Sequence, residues 1–206
     1  MTTIISWNLL HLTGASVTEV AGLVRQEHPD LLLMQEATEE IDRLPGLIGG
    51  FYARCPLPYR RHGLAVWSRS RLANPPRVVP IPSGALFDWV SQIVDFGSHA
   101  VANVHLSHGQ ALNRRQLRWI ARYLPQQAAI MGDFNLIGPC LLPGFRDVGP
   151  RLPTHIAGDI VPLRIDRCIV RGFHCTTAMA LPRASSDHRP ILVRLEAAVE
   201  TMQAAA

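Results

Sequence analysis

The sequence predicts a single domain of the mixed α/β sandwich class, in which many short strands outnumber the helices. Three observations support this class. A chain of 206 residues has the length of one domain. Short apolar runs of strand length recur along the chain, whereas few segments carry apolar residues at helical spacing. Strands and helices therefore do not alternate regularly, as they would in a doubly wound parallel sheet.

The first half of the chain holds one predicted helix and several strands. Residues 3–9 alternate between two faces, as a strand does. Residues 18–27 carry apolar side chains at helical spacing, and Pro29 follows the end of this helix. Residues 31–34 are a continuous apolar run, which is typical of a strand buried on both faces. Further strands are predicted at residues 63–68, 77–81, 89–96 and 100–106.

The second half contains the clearest helix, predicted at residues 112–124 from its apolar stripe. A buried strand follows at residues 128–131, and a loop rich in glycine and proline is predicted at residues 137–153. The last strands are predicted at residues 164–170 and 191–195. No repeat or linker divides the chain, so one domain is expected at residues 1–196, with a disordered tail at residues 197–206.

Hydropathy and cysteine usage favour a cytoplasmic protein. No apolar run is long enough to span a membrane. The N-terminus lacks a basic segment and a cleavage site, so we expect it to be the first strand and not a signal peptide. The four cysteines show no metal-type spacing, and nothing indicates secretion, so reduced thiols are expected.

All 20 basic residues are arginines, and the net charge is +4. The absence of lysine excludes a Schiff-base lysine and a P-loop lysine. A mild positive excess is compatible with an anionic partner but is not specific for one. Codon bias would also explain the preference for arginine over lysine.

The most informative motif is Gly132-Asp133-Phe134-Asn135, which follows the apolar run at residues 128–131. Alternation along an extended chain points Asp133 and Asn135 to the same side. Such a pair can hold a water molecule or a metal-bound oxygen from two directions. The same motif also occurs in ordinary turns.

Other polar residues end or interrupt predicted strands, where burial would be costly without a partner. Four of the set are carboxylates, which would repel one another in a shared site unless a cation were present. Carboxylates are hard oxygen ligands, so the set predicts Mg²⁺, with Mn²⁺ as an alternative. The complete set is Asn8, Glu36, His105, Asp133, Asn135, Asp166, Asp187 and His188.

These residues lie in seven short segments that together resemble the endonuclease/exonuclease/phosphatase superfamily, which has the deoxyribonuclease I-like and exonuclease III-like fold. The segments occur in family order between residues 6 and 190, and each is weak by itself. They are Ser6-Trp7-Asn8, Leu33-Met34-Gln35-Glu36, the stretch 63–69, Val104-His105-Leu106, Gly132-Asp133-Phe134-Asn135, Arg164-Ile165-Asp166 and Ser186-Asp187-His188-Arg189-Pro190.

The resemblance implies a four-layer α/β/β/α sandwich, with two packed mixed β-sheets between helices and a metal-dependent phosphodiesterase site at one end. It implies that Glu36 is the main Mg²⁺ ligand and that Asn8 supports the metal and the substrate phosphate. Asp187 resembles a ligand of a second or alternative metal position.

The resemblance also implies a division of the catalytic work. Asp133 orients or deprotonates the attacking water and also lies near the metal, and Asn135 assists it while contacting a phosphate oxygen. Asp166 orients His188, which meets the phosphate in its charged transition state. His105 protonates the leaving oxygen or binds the phosphate.

Two weaker candidates for phosphate binding, His108 and Arg114, follow the strand that ends at His105. The remaining histidines are expected to include loop and surface residues.

The sequence departs from abasic-site nucleases at Leu10, where those enzymes carry an acidic residue, and before Asp166, where they carry a tryptophan. Phe134 and Leu136 do not match inositol-phosphatase signatures. The favoured function is therefore a nuclease that acts on DNA or RNA with little sequence specificity. A phosphatase or phosphodiesterase for a small molecule or phospholipid head group is the first alternative, and an inactive relative that serves as an interaction module is the second. A monomer is favoured.

Overall fold

The computed structural model describes residues 1–84, 88–158 and 160–198. Of the predicted tail at residues 197–206, everything from residue 199 onward lies outside the described residues. In chain order the strands are β1 (Thr2–Asn8), β2 (Leu31–Ala37), β3 (Phe51–Pro56), β4 (Gly63–Ser68), β5 (Arg77–Ile81), β6 (Trp89–Asp95), β7 (Ala100–His105), β8 (Ala128–Asp133), β9 (Arg146–Asp147), β10 (His155–Ala157), β11 (Val161–Leu163), β12 (Asp166–Arg171), β13 (Phe173–Ala180) and β14 (Ile191–Ala197). The helices are α1 (Val17–Glu27), α2 (Leu44–Ile48) and α3 (Gln110–Ala121), with a 3₁₀ turn at Glu39–Arg43 before α2.

Two mixed sheets of six strands each form the centre of the fold, as predicted. The first has the strand order β13-β14-β1-β2-β4-β3, and the second has the order β5-β6-β7-β8-β12-β9. A separate hairpin pairs β10 with β11.

Three apolar clusters show that the sheets and helices stack in four layers. Ile4 and Leu33 of the first sheet pack between the sheets with Met131 of the second. On the outer face of the first sheet, Ile5 packs with residues of α1. On the outer face of the second sheet, Ile130 packs with Leu117 and other residues of α3. Alternate residues of β1 thus face opposite layers, as the period of a strand requires.

Local signals set the helix ends. Ser16 caps α1 and forms a capping box with Glu19, while His28 ends that helix in the left-handed conformation. The structure shows α3 beginning earlier and ending earlier than the predicted 112–124. Pro125 accounts for the earlier end, since a proline disfavours helical backbone in the residue before it.

A buried polar network ties the two sheets together near the ends of β1, β2 and β7. The Gln35 amide donates to Ser6 Oγ at 3.0 Å and to Asn103 Oδ1 at 2.7 Å. Asn103 of the second sheet in turn donates to the carbonyls of Met34 and Ala65 in the first. Ser6, Gln35 and Asn103 thus all have hydrogen-bond partners, so the network fixes the sheets relative to each other.

Among the described helices, none is both long and apolar enough to cross a membrane.

Candidate active site

The pairing of strands places three of the predicted residues in one row. In the second sheet β7 and β8 are parallel, with His105 opposite Asp133. On the other side of β8, β12 runs antiparallel and begins with Asp166, also opposite Asp133. The first sheet contributes β1 and β2, whose parallel pairing ends with Asn8 opposite Gln35, one residue before Glu36.

Gly132 allows this row to form. Its φ of +148° is rare for residues with a side chain. A Cβ at this position would lie only 2.0 Å from the carbonyl oxygen of Val104 in β7. The glycine before Asp133 is therefore required by the close approach of β7, in addition to the turn that follows.

Asp133 lies at the centre of the site and is 2% exposed. Its Oδ1 accepts a hydrogen bond from the backbone N–H of Asn135 at 2.9 Å, and its Oδ2 accepts one from the Asn8 amide at 3.1 Å. His105 Nε2 lies 3.6 Å from the same Oδ2. The carboxylate is thus held in one orientation between the two sheets.

Asn135 is fixed by α3 and by the end of β7. Its backbone is left-handed, with a φ of 47°, and its side-chain amide donates to the carbonyl of Leu106 at 2.9 Å. Gln110 and Asn113 of α3 both donate to the Asn135 carbonyl, at 2.8 and 3.1 Å. The first turn of α3 therefore determines where this asparagine stands.

Asp166 and His188 form a buried dyad. His188 Nδ1 donates to Asp166 Oδ2 at 2.8 Å, which leaves Nε2 pointing away from Asp166. Thr154 Oγ1 accepts from the Asp166 backbone N–H at 3.0 Å. Ser186 links the dyad to β1, because its hydroxyl donates to the Asn8 carbonyl and accepts from the His188 backbone.

The surrounding carboxylates control the protonation of this dyad. Burial lowers the pKa of His188, but Asp166, Asp133 and Asp187 outweigh burial and raise it to about 10. Burial also raises the pKa of Asp166. The pair shares one proton, and we assign it to His188, because three carboxylates face that ring.

The pKa of His105 shifts in the opposite direction to that of His188. Its side chain is buried, and burial lowers its pKa in spite of the nearby Asp133 and Glu36 carboxylates. Trp89 packs against the ring in an edge-on arrangement with the centroids 5.4 Å apart. Burial therefore favours the neutral imidazole at His105, which can exchange hydrogen bonds.

Glu36 lies at the other side of the site, in a left-handed backbone conformation with a φ of 56°. Burial raises its pKa, but His105 and the hydrogen bonds from His11 reverse this effect and lower it to about 2. The backbone N–H of His11 donates to Glu36 Oε2 at 3.1 Å, and the His11 ring nitrogen Nδ1 contacts the same oxygen. Glu36 is thus ionised and held at its rim position by His11.

Asp187 is the most exposed carboxylate of the set, with 32% of its side chain accessible. Its Oδ1 is nevertheless buried and has no hydrogen-bond partner. The nearest groups are His188 Nε2, 3.9 Å from Oδ1, and His155 Nδ1, 3.6 Å from Oδ2.

The structure therefore gathers Asn8, His105, Asp133, Asn135, Asp166, Asp187 and His188 at one end of the sandwich, with Glu36 at its rim. The two weaker candidates are placed differently. His108 is exposed between β7 and α3, and Arg114 donates to the Gln110 carbonyl at 2.6 Å. Their roles in phosphate binding stay predictions.

Three residues at the site were not singled out by the sequence. His11 contacts Glu36, Thr154 holds Asp166, and His155 packs its ring 4.3 Å from that of His188. None of the three carried a sequence signal, since β11 separates Thr154 and His155 from the strand that begins at Asp166.

The site holds oxygen donors of the kind that a divalent cation takes, although the groups of possible ligands that lie within 4.8 Å of one another among the described residues, Asp133–Asp166–His188 and His155–Asp187–His188, do not include Glu36. Glu36, Asp133, Asp187 and Asn8 offer only oxygen ligands, which is the preference of Mg²⁺. The unpartnered Asp187 Oδ1 is an independent sign, because buried carboxylate oxygens are otherwise hydrogen-bonded. The low pKa of Glu36 keeps this ligand ionised.

Sequence comparison gives one family. A sequence model described as the endonuclease/exonuclease/phosphatase family matches residues 5–188, which covers every residue of the site. The search of curated proteins found no match to this chain.

Solved structures with the same fold are numerous. A Bacteroides vulgatus protein titled endonuclease/exonuclease/phosphatase superposes with a TM-score of 0.78 and 14% identity, covering 95% of this chain and 98% of that one. A humanized D. rerio TDP2 superposes with a TM-score of 0.74 and 16% identity, with the same coverage of 95% and 98%. D. rerio TDP2 complexed with a single-strand DNA product has a TM-score of 0.73 and 14% identity, again covering 95% and 98%. At these identities the superpositions establish the fold alone.

Proposed function

The chain belongs to the endonuclease/exonuclease/phosphatase family, and we propose that it is a divalent-metal-dependent phosphodiester hydrolase that acts on nucleic acid with little sequence specificity. The observation that carries this proposal is the buried Asp166–His188 dyad, whose free nitrogen faces Asp133 across 3.8 Å. A phosphodiester hydrolase needs an activated water and positive charge at the phosphoryl oxygens. Asp133 would activate the water, and His188 next to it would supply the positive charge.

Asp133 is the group that orients the attacking water and accepts its proton. Hydrogen bonds from Asn8 and from the Asn135 backbone fix both of its oxygens, so no reorganisation is needed when the water binds. The Asn8 side chain also turns its Oδ1 toward the backbone of Leu10, which locks the amide in the orientation that serves Asp133.

His188 meets the phosphate as an imidazolium. A pKa of about 10 keeps it protonated throughout the physiological range. Asp166 holds Nδ1, so Nε2–H is the donor available to a phosphoryl oxygen. The positive charge is most effective in the transition state, where negative charge on the phosphoryl group is largest.

Glu36, Asp187, Asn8 and Asp133 would hold the divalent cation, which when bound supplies Lewis-acid stabilisation of the phosphate. Mg²⁺ suits these oxygen ligands, and Mn²⁺ is the alternative.

His105 contacts the phosphate as a neutral hydrogen-bonding group, because burial lowers its pKa. That state favours binding of the phosphate over proton donation to the leaving oxygen. The edge of Trp89 keeps the ring in place.

Nucleic acid is the favoured substrate on two grounds. The chain is basic, with a net charge of +4 and a pI near 9.2. A structural neighbour, D. rerio TDP2, is described in complex with a single-strand DNA product.

A plasmid-nicking assay tests this function. We expect supercoiled DNA to be nicked in Mg²⁺ and to stay intact in EDTA. His188→Ala and Asp133→Asn should each abolish nicking while the circular dichroism spectrum of the folded protein is retained. His174→Ala, which changes an exposed histidine of β13, should nick at the normal rate. EDTA-resistant nicking, or full activity of His188→Ala, would refute the proposal.

A small phosphodiester or phospholipid head group is the second candidate, and an apolar groove next to Asp187 favours it. The groove has a volume of about 460 Å³ and is lined mainly by apolar side chains, with Arg183 and Arg189 at its edge. If the chain leaves plasmid intact but hydrolyses a small phosphodiester such as bis(p-nitrophenyl) phosphate in Mg²⁺, this second function replaces the first. If neither substrate turns over with or without Mg²⁺, the chain is an inactive relative.

A further inference from the structure

His155 stands beside the dyad without a part in the reaction described above. It begins β10, and an antiparallel β-bridge joins its backbone to that of His188. A hydrogen bond from the Arg189 backbone to the Thr154 carbonyl, at 2.7 Å, reinforces the same junction. The two imidazoles therefore keep a fixed relation, with ring centroids 4.3 Å apart.

Two polar atoms between these rings are buried and lack a partner. They are His155 Nδ1 and Asp187 Oδ1, and neither forms a hydrogen bond within the described chain. Buried nitrogen and oxygen atoms of this kind are normally satisfied. Both atoms lie next to His188, with His155 Nδ1 3.6 Å from Asp187 Oδ2, so one cation could take ligands from all three residues.

We propose that His155, Asp187 and His188 form a binding site for a transition-metal ion of the Zn²⁺ type, which shares Asp187 with the oxygen-ligand site proposed for Mg²⁺. One ligand atom from each of the three residues lies within 4.8 Å of the other two. Ligands of one tetrahedral ion are separated by roughly 3–3.5 Å when each bond is about 2.0–2.1 Å long, so small side-chain movements suffice.

The orientation of His188 suits a metal ligand. Its Nδ1 donates to Asp166, so Nε2 is the atom left to coordinate, and it faces Asp187 Oδ1 at 3.9 Å. The ion takes the place of the Nε2 proton, which is released to solvent on binding. A metal-ligating histidine commonly donates its other ring N–H to a carboxylate, which fixes the tautomer and strengthens the ligand. Asp166 is already in that supporting position.

The ligand types at His155, Asp187 and His188 favour Zn²⁺ over Mg²⁺. Two imidazoles and one carboxylate are the ligands of catalytic zinc sites, which leave the fourth position open. Mg²⁺ avoids such a set because it prefers oxygen ligands. Asp133 Oδ2 lies 3.8 Å from His188 Nε2 and adds negative charge that favours a dication over an empty site.

Occupation of this site would inhibit hydrolysis, a consequence that rests on the proposed function. The ion would take His188 Nε2 away from the phosphate and remove Asp187 from the proposed Mg²⁺ ligands. The chain would then bind two classes of divalent ion with opposite results, activation by Mg²⁺ and inhibition by Zn²⁺.

Direct binding tests the site without reference to activity. Metal-free protein is titrated with Co²⁺, whose d–d absorption reports ligation, and the bound Co²⁺ is then displaced with Zn²⁺. His155→Phe keeps an aromatic ring against His188 and removes both nitrogens, so its Co²⁺ affinity should fall by about tenfold or more. The matched control His174→Phe should bind as the wild type does. Equal Co²⁺ binding by His155→Phe and the wild type would overturn the proposal.

Inhibition is measured separately at a fixed Mg²⁺ concentration. We expect Zn²⁺ to inhibit wild-type hydrolysis and the concentration for half inhibition to rise about tenfold or more in His155→Phe, which retains its Mg²⁺-dependent rate. Unchanged Zn²⁺ inhibition in His155→Phe would contradict the proposal. If no hydrolysis occurs while Co²⁺ binding depends on His155, the proposed function fails and the metal site stands.

Discussion

At the scale of single residues, the site depends on charges whose burial is compensated by specific partners. His188 stays protonated because Asp166, Asp133 and Asp187 face it, whereas burial lowers the pKa of His105. The pKa values of two histidines in the same site thus shift in opposite directions. The difference follows from their surroundings, since both have the same intrinsic pKa.

Asp166→Asn separates the charge of Asp166 from its geometry. The amide oxygen can still accept from His188 Nδ1, but the charge that raises the pKa of His188 is lost. We expect kcat to fall by about 10²–10⁴-fold, the usual contribution of one acid or base.

The pH profile of the Asp166→Asn variant shows whether Asp166 raises the pKa of His188. The active, protonated form of His188 predominates below its pKa of about 10, so wild-type activity should decline only as the pH rises through that value. In Asp166→Asn the alkaline decline should move to lower pH. Asp147→Asn, which breaks a buried pair with Arg164 outside the site, is the control and should leave the profile in place. An unshifted decline in Asp166→Asn would exclude His188 as the titrating group.

At the same scale, the sequence predicted some residues of the site and missed others. Asn8, Asp133, Asp166 and His188 lie together in the structure, and the sequence singled them out because each is a polar residue that ends, interrupts or precedes a predicted strand. The contact of His155 with His188 was not predicted. It depends on a β-bridge between segments far apart in the sequence, and no periodic pattern encodes such pairing.

At the scale of secondary structure, the buried core strands were predictable, as was the edge strand β5, whereas β3, β9, β10, β11 and the eight-residue edge strand β13 were not. The continuous apolar run of β2 is buried throughout at residues 31–35, as a strand with two covered faces should be. β3 is half-buried along most of its length, β9 has two residues, and β10 and β11 have three each. Such segments bury too little apolar surface to produce a clear alternation.

Gly132→Ala tests the close approach of β7 and β8. A Cβ would lie 2.0 Å from the Val104 carbonyl oxygen, so the strands must separate beside Asp133. We expect the free energy of unfolding, measured in urea, to fall by more than the roughly 1–3 kcal/mol of backbone strain alone. Gly97→Ala has a φ of +82° but open space around it, and should lose only that strain. Equal losses of unfolding free energy in the two variants would show that the close approach of β7 does not exclude a side chain at residue 132.

Asn113→Ala tests whether α3 positions Asn135. Asn113 is fully buried and donates to the Asn135 carbonyl at 3.1 Å, but it does not reach the reacting groups. We expect kcat to fall by about 10–100-fold, as for other residues that orient a site from behind. KM should change little, since the substrate is not touched.

Arg118→Ala is the control on the same helix, because Arg118 is exposed. Normal kcat in Asn113→Ala would mean that Gln110 alone suffices to hold Asn135, and the positioning role of Asn113 would be withdrawn.

At the scale of the whole molecule, two sheets converge on one site. The first sheet supplies Asn8 and Glu36, and the second supplies His105, Asp133 and Asp166. The Gln35–Asn103 hydrogen bond of 2.7 Å connects the sheets directly below these residues. A sandwich of this kind leaves the nature of the substrate to the loops around the site, and so the family and fold do not determine it.

Salt dependence distinguishes a polymeric substrate from a small one. A protein that neutralises several phosphates of a nucleic acid loses affinity steeply as salt rises, because binding releases counterions. We expect kcat/KM for DNA to fall strongly with added salt, whereas kcat/KM for bis(p-nitrophenyl) phosphate should change little. A rate on DNA that is insensitive to salt would favour the small-phosphodiester function.

The most direct measurement is the rate of phosphodiester hydrolysis by wild-type protein and His188→Ala, assayed together in Mg²⁺ and in EDTA. His174→Ala is purified in parallel to control for a contaminating enzyme. We expect hydrolysis by the wild type and by His174→Ala in Mg²⁺ only, and none by His188→Ala under either condition. Hydrolysis by His188→Ala at the wild-type rate, or hydrolysis that persists in EDTA, would contradict a metal-dependent mechanism built on the Asp166–His188 dyad.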